Sequence, residues 1–193
     1  MTVEEAFLLL TVSDLLGGGE RVLVSPAQAD VPDDGWLVST DRYPNRQGLR
    51  ALGFRAGTGP QSACDGILFA RCEDLPDDPS WAARLEELPV TVAVAERVTS
   101  AVTYADHVVA VASHFEAEGS FINRQGRLQQ FAAAVKPPGE AVAGWRALAD
   151  LVAALGGPRY ESRPAVLDAA IARMEASRAQ DQASASRPLA ALR

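Results

Sequence analysis

Three apolar runs, GILFA at Gly66–Ala70, VTVAVA at Val90–Ala95 and HVVAVA at His107–Ala112, decide the fold. Each is short, continuously apolar and almost free of polar interruption, the pattern of a strand covered on both faces rather than on one. Between them, Ser80 to Leu88 and a brief stretch near Thr99 read as helices. Strands alternating with helices predict an α/β fold with a mostly parallel sheet covered by helices. Right-handed crossovers then bring the loops after the strands to one edge of the sheet, the edge at which open α/β folds bind ligands.

The loop after the third run is Glu116 to Phe131, EAEGSFINRQGRLQQF. Gly119 and Gly126 permit backbone turns with positive φ. Glu118, Asn123, Arg127 and Gln129 offer carboxylate, amide and guanidinium groups for directional hydrogen bonds, while Phe121, Ile122, Leu128 and Phe131 can anchor the segment on a core. Two readings stay open on these residue types: a loop that braces itself, or a ligand or partner site. If Arg127 is a buried hydrogen-bonding partner, Arg127→Ala is expected to cost about 1–3 kcal/mol.

The 193 residues carry a formal charge of -7, with 48% hydrophobic and 22% charged side chains. That size and composition suit one globular domain with a sizeable core. The acidity argues against a nucleic-acid groove, which needs a concentrated positive face. No run of about 18 apolar residues exists to enter a bilayer, and Val3 to Leu16, with Glu4 and Glu5, lacks the basic start of a signal peptide. The chain reads as cytoplasmic.

Cys64 and Cys72 form no CxxC pair and cannot supply a four-thiolate iron-sulphur centre. Together with His107 and His114 they match no usual zinc spacing, so no metal site is expected. His107 lies inside an apolar strand, as a satisfied core histidine would; His114 and Glu116 have no nucleophile matched to them. Asp77-Asp78 and Glu86-Glu87 read as solvated surface. Gly57-Thr58-Gly59 is a weak nucleotide signal, because a strand rather than a helix follows it. No catalytic residue is assigned.

Outside the central runs, Thr2 with Glu5 is a capping-box helix start, and Gly17-Gly18-Gly19 ends a helix apolar nearly all round. Arg21 to Ser25 and Trp36 to Ser39 are strand candidates, and Asn45 to Gly53 a short helix. Trp145, Leu148, Ala149, Val152 and Leu155 recur at helical spacing before Gly156-Gly157-Pro158. Pro164 opens a last helix through Leu167, Ala170, Ile171 and Met174. The expected organisation is an α/β domain over 1–157, a C-terminal helix over 158–176 and a disordered Ser/Ala/Gln-rich tail over 177–193.

With these residues in view a family resemblance emerges. Thr103 to Val109 followed by Glu118 to Gln129 resembles the "ADVVLP…E..GT.TN.EGR.Q" signature of molybdopterin oxidoreductases. Pro137-Pro138-Gly139-Glu140-Ala141 with Trp145 and Leu148 is similar to the "PPGEA..DW..L" continuation, found both in those enzymes and in the large iron-sulphur subunit of NADH-quinone oxidoreductase, respiratory complex I. Asn45 to Leu49 with Leu52-Gly53 resembles a weaker "N..GL..LG" element. The likeness covers about residues 40 to 157. It departs at Gly144, where an acidic residue is usual, at Ala110, where proline is, and at Thr99-Ser100-Ala101, where "TET" is common.

The resemblance implies a Rossmann-like portion of a molybdopterin oxidoreductase domain. One implied role is a cofactor-free module that docks other subunits of a respiratory electron-transfer complex, without direct membrane insertion and peripheral to the inner membrane through those subunits. The other is a small subunit or fragment that completes a molybdopterin site, with molybdenum or tungsten, together with a partner chain. In that case Glu118, Asn123 and Arg127 would contact the pterin or its phosphates.

Overall fold

The computed structural model describes residues 1–20, 22–24, 34, 36, 43–57, 63–71 and 79–185. The strand candidate Trp36 to Ser39, the Gly57–Pro60 loop beyond its first residue, Cys72 and Asp77-Asp78 lie wholly or mostly outside these residues.

The three apolar runs form one parallel sheet. Strand β3 (Gly66–Ala70) pairs with β4 (Val90–Ala95), and β4 with β5 (His107–Ala110), so that Gly66 lies opposite Val90 and Val92 opposite His107. Period-two alternation sends Ile67, Phe69 and Ala93 to one face. There they pack on Trp81 and Leu85 of α3 (Pro79–Glu86) and Ala101 of α4 (Ser100–Thr103). Leu68, Ala70 and Val94 point the other way into the main core, and Val111, just past β5, joins them. Over β3 and β4 the sheet is therefore packed on both faces, whereas the four residues of β5 are exposed.

That main core is built around α1 (Val3–Leu15). Its capping box is complete: Thr2 Oγ1 accepts from Glu5 N–H at 3.2 Å, and the Glu5 carboxylate accepts from Thr2 N–H at 2.8 Å. Val3, Ala6, Phe7, Leu8, Leu10 and Val12 are all buried, so the helix has no solvent stripe over its first turns. It packs against α2 (Arg46–Ala51), α5 (Gly144–Ala154) and α6 (Arg163–Ala185). A second, two-stranded parallel sheet joins β1 (Val22–Val24) to β2 (Arg55–Gly57).

Two expectations are revised by this arrangement. Helix α6 runs to Ala185, well past Ala176. Residues 176–183, ASRAQDQA, are mostly good helix formers with no glycine or proline, so nothing in them stops the helix. Residues 186–193 lie outside the described ones. His107 is exposed rather than a core histidine: among the described residues β5 is an end strand of its sheet, and all four of its residues are exposed. Among the described residues, no helix is long and apolar enough to cross a membrane.

Candidate functional site

The segment Glu116 to Phe131 is a β-hairpin rather than a loop. Strand β6 (Gly119–Ile122) pairs antiparallel with β7 (Leu128–Phe131), with Gly119 opposite Phe131 and Ile122 opposite Leu128. The turn is organised by Asn123. Its Oδ1 accepts from the N–H groups of Gln125 at 3.0 Å and Arg127 at 2.9 Å, and its Nδ2 donates to Gln129 Oε1 at 3.2 Å. Gly126 supplies the left-handed residue, φ 77°. Gly119 serves otherwise than expected: it lies in the strand, and a β-carbon there would overlap Thr2 Cγ2 and stand 3.0 Å from Phe131 Cζ. A glycine lets β6 approach the start of α1. Of the four apolar anchors, Ile122 is buried and the Phe121 and Phe131 rings lie 4.8 Å apart, but Leu128 is exposed.

Buried polar groups fix this hairpin to the domain. Asn45 precedes α2 in the left-handed conformation, φ 65°. Its Oδ1 accepts from Ile122 N–H at 2.9 Å while its Nδ2 donates to the Met1 carbonyl at 3.1 Å. A β-carbon on Gly48 would overlap that Oδ1, which explains the small residue three positions on. Farther along the same edge of β6, the fully buried Glu4 carboxylate accepts from Ser120 N–H (3.0 Å), Ser120 Oγ (2.8 Å) and Arg163 Nη1 (2.7 Å). Arg163 Nη2 continues to Gln130 Oε1 at 2.8 Å, so α1, α6 and both hairpin strands meet at one charge pair.

The "AD" of the signature is structural too. Asp106 Oδ2 accepts from Thr91 N–H at 2.8 Å and Thr91 Oγ1 at 2.7 Å, tying the starts of β4 and β5 together. Those Thr91 hydrogen bonds hold the Asp106 carboxyl below the usual carboxylate range. A lowered folded-state pKa stabilises the fold fully above the unfolded value of about 3.9. The contribution disappears as the pH falls through the folded-state value. The stability gap between wild type and Asp106→Asn is therefore expected at neutral pH and to close on acidification below about pH 4. Denaturation curves across that range check this, and a gap independent of pH would show that the charge of Asp106 is not what Thr91 reads.

The three residues with an implied cofactor role do not converge. Glu118 sits before β6 at one end of the hairpin, 47% exposed and 3.6 Å from Arg163 Nε. Asn123 and Arg127 belong to the turn at the other end, about 15 Å away by strand rise. Asn123 is engaged through both ends of its side-chain amide by its own turn. Arg127 is exposed, with its backbone N–H and carbonyl both paired to Asn123. The expected loss from Arg127→Ala is accordingly revised to within about 0.5 kcal/mol, the usual range for a surface change. A melting curve of that variant within error of wild type is the expected result. Glu116 accepts from Ser113 N–H, and exposed His114 stacks beside Phe115 at 4.0 Å. Cys64 is a free thiol, and among the described residues no three His, Cys, Asp or Glu side chains gather as metal ligands.

What the structure does bring together is the weak motif element and the hairpin turn. Tyr43, Asn45, Arg46 and Gln47 face Ile122, Asn123 and Arg124 across an open pocket of about 300 Å³. Arg46 lies over the Tyr43 ring, 4.9 Å from its centroid. Arg46, Gln47 and Arg124 place cationic and amide side chains among the pocket's lining residues. Neither Arg46 nor Arg124 stood out in the sequence, because their pairing depends on a contact between segments nearly eighty positions apart.

Residues 67–154, from β3 through α5, match the model of the molybdopterin oxidoreductase family. A stretch of 94 residues is 35% identical to the assimilatory nitrate reductase catalytic subunit of Bacillus subtilis (strain 168). It takes in 49% of this chain and 13% of that protein, so the chain corresponds to a small part of the relative's length. Both findings support the molybdopterin oxidoreductase family for this segment, in agreement with the α/β architecture.

Proposed function

We propose that the chain is a structural, docking part of a molybdopterin oxidoreductase-type electron-transfer assembly, in the manner of the large iron-sulphur subunit of NADH-quinone oxidoreductase. Its partners would be the other subunits of that complex, and its place cytoplasmic, at the inner membrane only through them. The observation that carries this reading is the internal use of the signature's polar groups. Asn45, Asp106, Ser120 and Asn123 each hydrogen-bond to this chain's own backbone or side chains. A motif engaged in this way maintains a shape on which neighbouring subunits can dock.

A second reading is favoured by the pocket between Tyr43–Gln47 and Ile122–Arg124. There Arg46, Gln47 and Arg124 would hold an anionic portion of a molybdopterin completed by a partner chain; when bound, that group would supply the oxidation-reduction chemistry at its metal. Glu118, at the far end of the hairpin, would take no part in this contact, and Arg127, exposed on the turn, lies outside the pocket's lining.

Affinity capture from the native host distinguishes the two, with mass spectrometry of the co-purifying proteins and elemental analysis for molybdenum, tungsten and iron. Respiratory-complex subunits without molybdenum or tungsten support the first reading. A molybdenum- or tungsten-containing catalytic chain, lost on Arg46→Ala/Arg124→Ala, supports the second.

A further inference from the structure

The carboxyl edge of the β3–β4–β5 sheet is closed by the chain itself. Arg71 follows β3 in a left-handed conformation, φ 49°, and its guanidinium lies across the ends of all three strands. Nη1 donates to Glu96 just after β4, and Nη2 to the carbonyl of Ala112 just after β5, at 3.1 Å. These two contacts fix the plane of the guanidinium. The remaining fork, Nε and Nη2, grips the Glu5 carboxylate from α1 at 2.7–3.1 Å. An oriented arginine fork at this edge is the arrangement with which a protein recognises a free carboxylate.

Gly144 shows how closely Glu5 fills the place. It is the first residue of α5, and a β-carbon built on it would overlap Glu5 Oε1 while standing 3.2 Å from Arg71 Nη2. A side chain at 144 and the Glu5 carboxylate therefore compete for one position beside Arg71. The acidic residue that the resemblance places at 144 is missing here, and a carboxylate from another helix stands where its side chain would begin.

We propose that Arg71, oriented by Glu96 and the Ala112 carbonyl, forms a carboxylate-binding site that Glu5 occupies in cis, and that removal of Glu5 opens it to a small carboxylate. The geometry makes α1 a plug seated by anion recognition at the sheet edge. The site is independent of the Arg46–Arg124 pocket and of the proposed docking role.

Glu5→Ala removes the atoms of an acetate group, so acetate is the probe, at constant ionic strength with chloride as the control. Glu5→Ala is expected to lower the melting temperature by several degrees. Acetate should restore most of that loss in a saturable way, without effect on wild type or on Glu5→Ala/Arg71→Met. An acetate response shared equally by all three, or none in Glu5→Ala, overturns the proposal. Should Glu5→Ala not fold, Glu5→Ala/Gly144→Asp supplies the carboxylate from the other side. Recovery of a folded chain supports the site, and failure to recover overturns it. Gly144→Asp alone is expected to destabilise, since two carboxylates then contend for one fork.

Discussion

Arg163→Met is expected to cost about 3–5 kcal/mol, the range for breaking a buried ion pair by removing one partner. The Glu4 carboxylate has no solvent contact, and Arg163 Nη1, at 2.7 Å, is its charged partner. Without it, two Ser120 hydrogen bonds remain to a charge held out of water, and the hairpin loses the Gln130 contact as well. Neutralising the partner should return much of the loss. Glu4→Gln/Arg163→Met is therefore expected to be more stable than Arg163→Met alone, although it contains one more substitution. Urea denaturation of these two variants and of Glu4→Gln checks this. A double variant as unstable as the sum of its parts would mean that packing of the arginine stem, rather than its charge, holds α6 to α1.

This pair also marks the limit of what the chain's order of residues discloses. Glu4 and Glu5 read as acidic residues in the first turn of a capped helix, where acids are ordinary. Their partners are Arg163 and Arg71, separated from them by 159 and 66 positions, and no local pattern joins the two. The parallel sheet was legible because burial on both faces leaves a local trace: short, continuous apolar runs. The hairpin was half legible. Its apolar anchors and Gly126 were apparent, but strands of only four residues, GSFI and LQQF, are too short for alternation to separate strand from loop. His107 was misplaced for a related reason. The run HVVAVA has the composition of a central strand, and only the sheet order shows that β5 is at the edge. Helix α6 extended further than expected because polarity suggested a tail, whereas alanine, arginine and glutamine also favour helix.

For the candidate site, residue types located the region and topology sorted the residues within it. Glu118, Asn123 and Arg127 are close in sequence but lie at two ends of a hairpin, since extended strands separate residues that a compact loop would gather. Arg46 and Arg124 are far apart in sequence yet line one pocket. The distinction between bracing and contact then follows from where each hydrogen bond goes. By that criterion Asn45, the first residue of the weak motif element, belongs to the brace.

Asn45→Ala is accordingly expected to destabilise by about 2–5 kcal/mol. Leaving the buried Ile122 N–H without its acceptor costs about 1–3 kcal/mol. Forcing a side chain other than Asn or Gly into the left-handed conformation adds about 1–2 kcal/mol. Asn45→Gly loses the same hydrogen bonds to Ile122 and Met1 but suits φ 65°, so it should be the milder change by about 1 kcal/mol. Gly48 supplies the decisive comparison. Its β-carbon would overlap Asn45 Oδ1, with Val3 Cγ2 next at 3.2 Å. Gly48→Ala should therefore be costly in the wild-type chain and much less so beside Asn45→Gly, where the overlapping atom is gone. Such coupling, read from thermal or urea unfolding of the four chains, would establish that the Asn45-Gly48 spacing serves hairpin attachment. Additive losses would release Asn45 from the brace and return it to the pocket wall as a candidate for ligand contact.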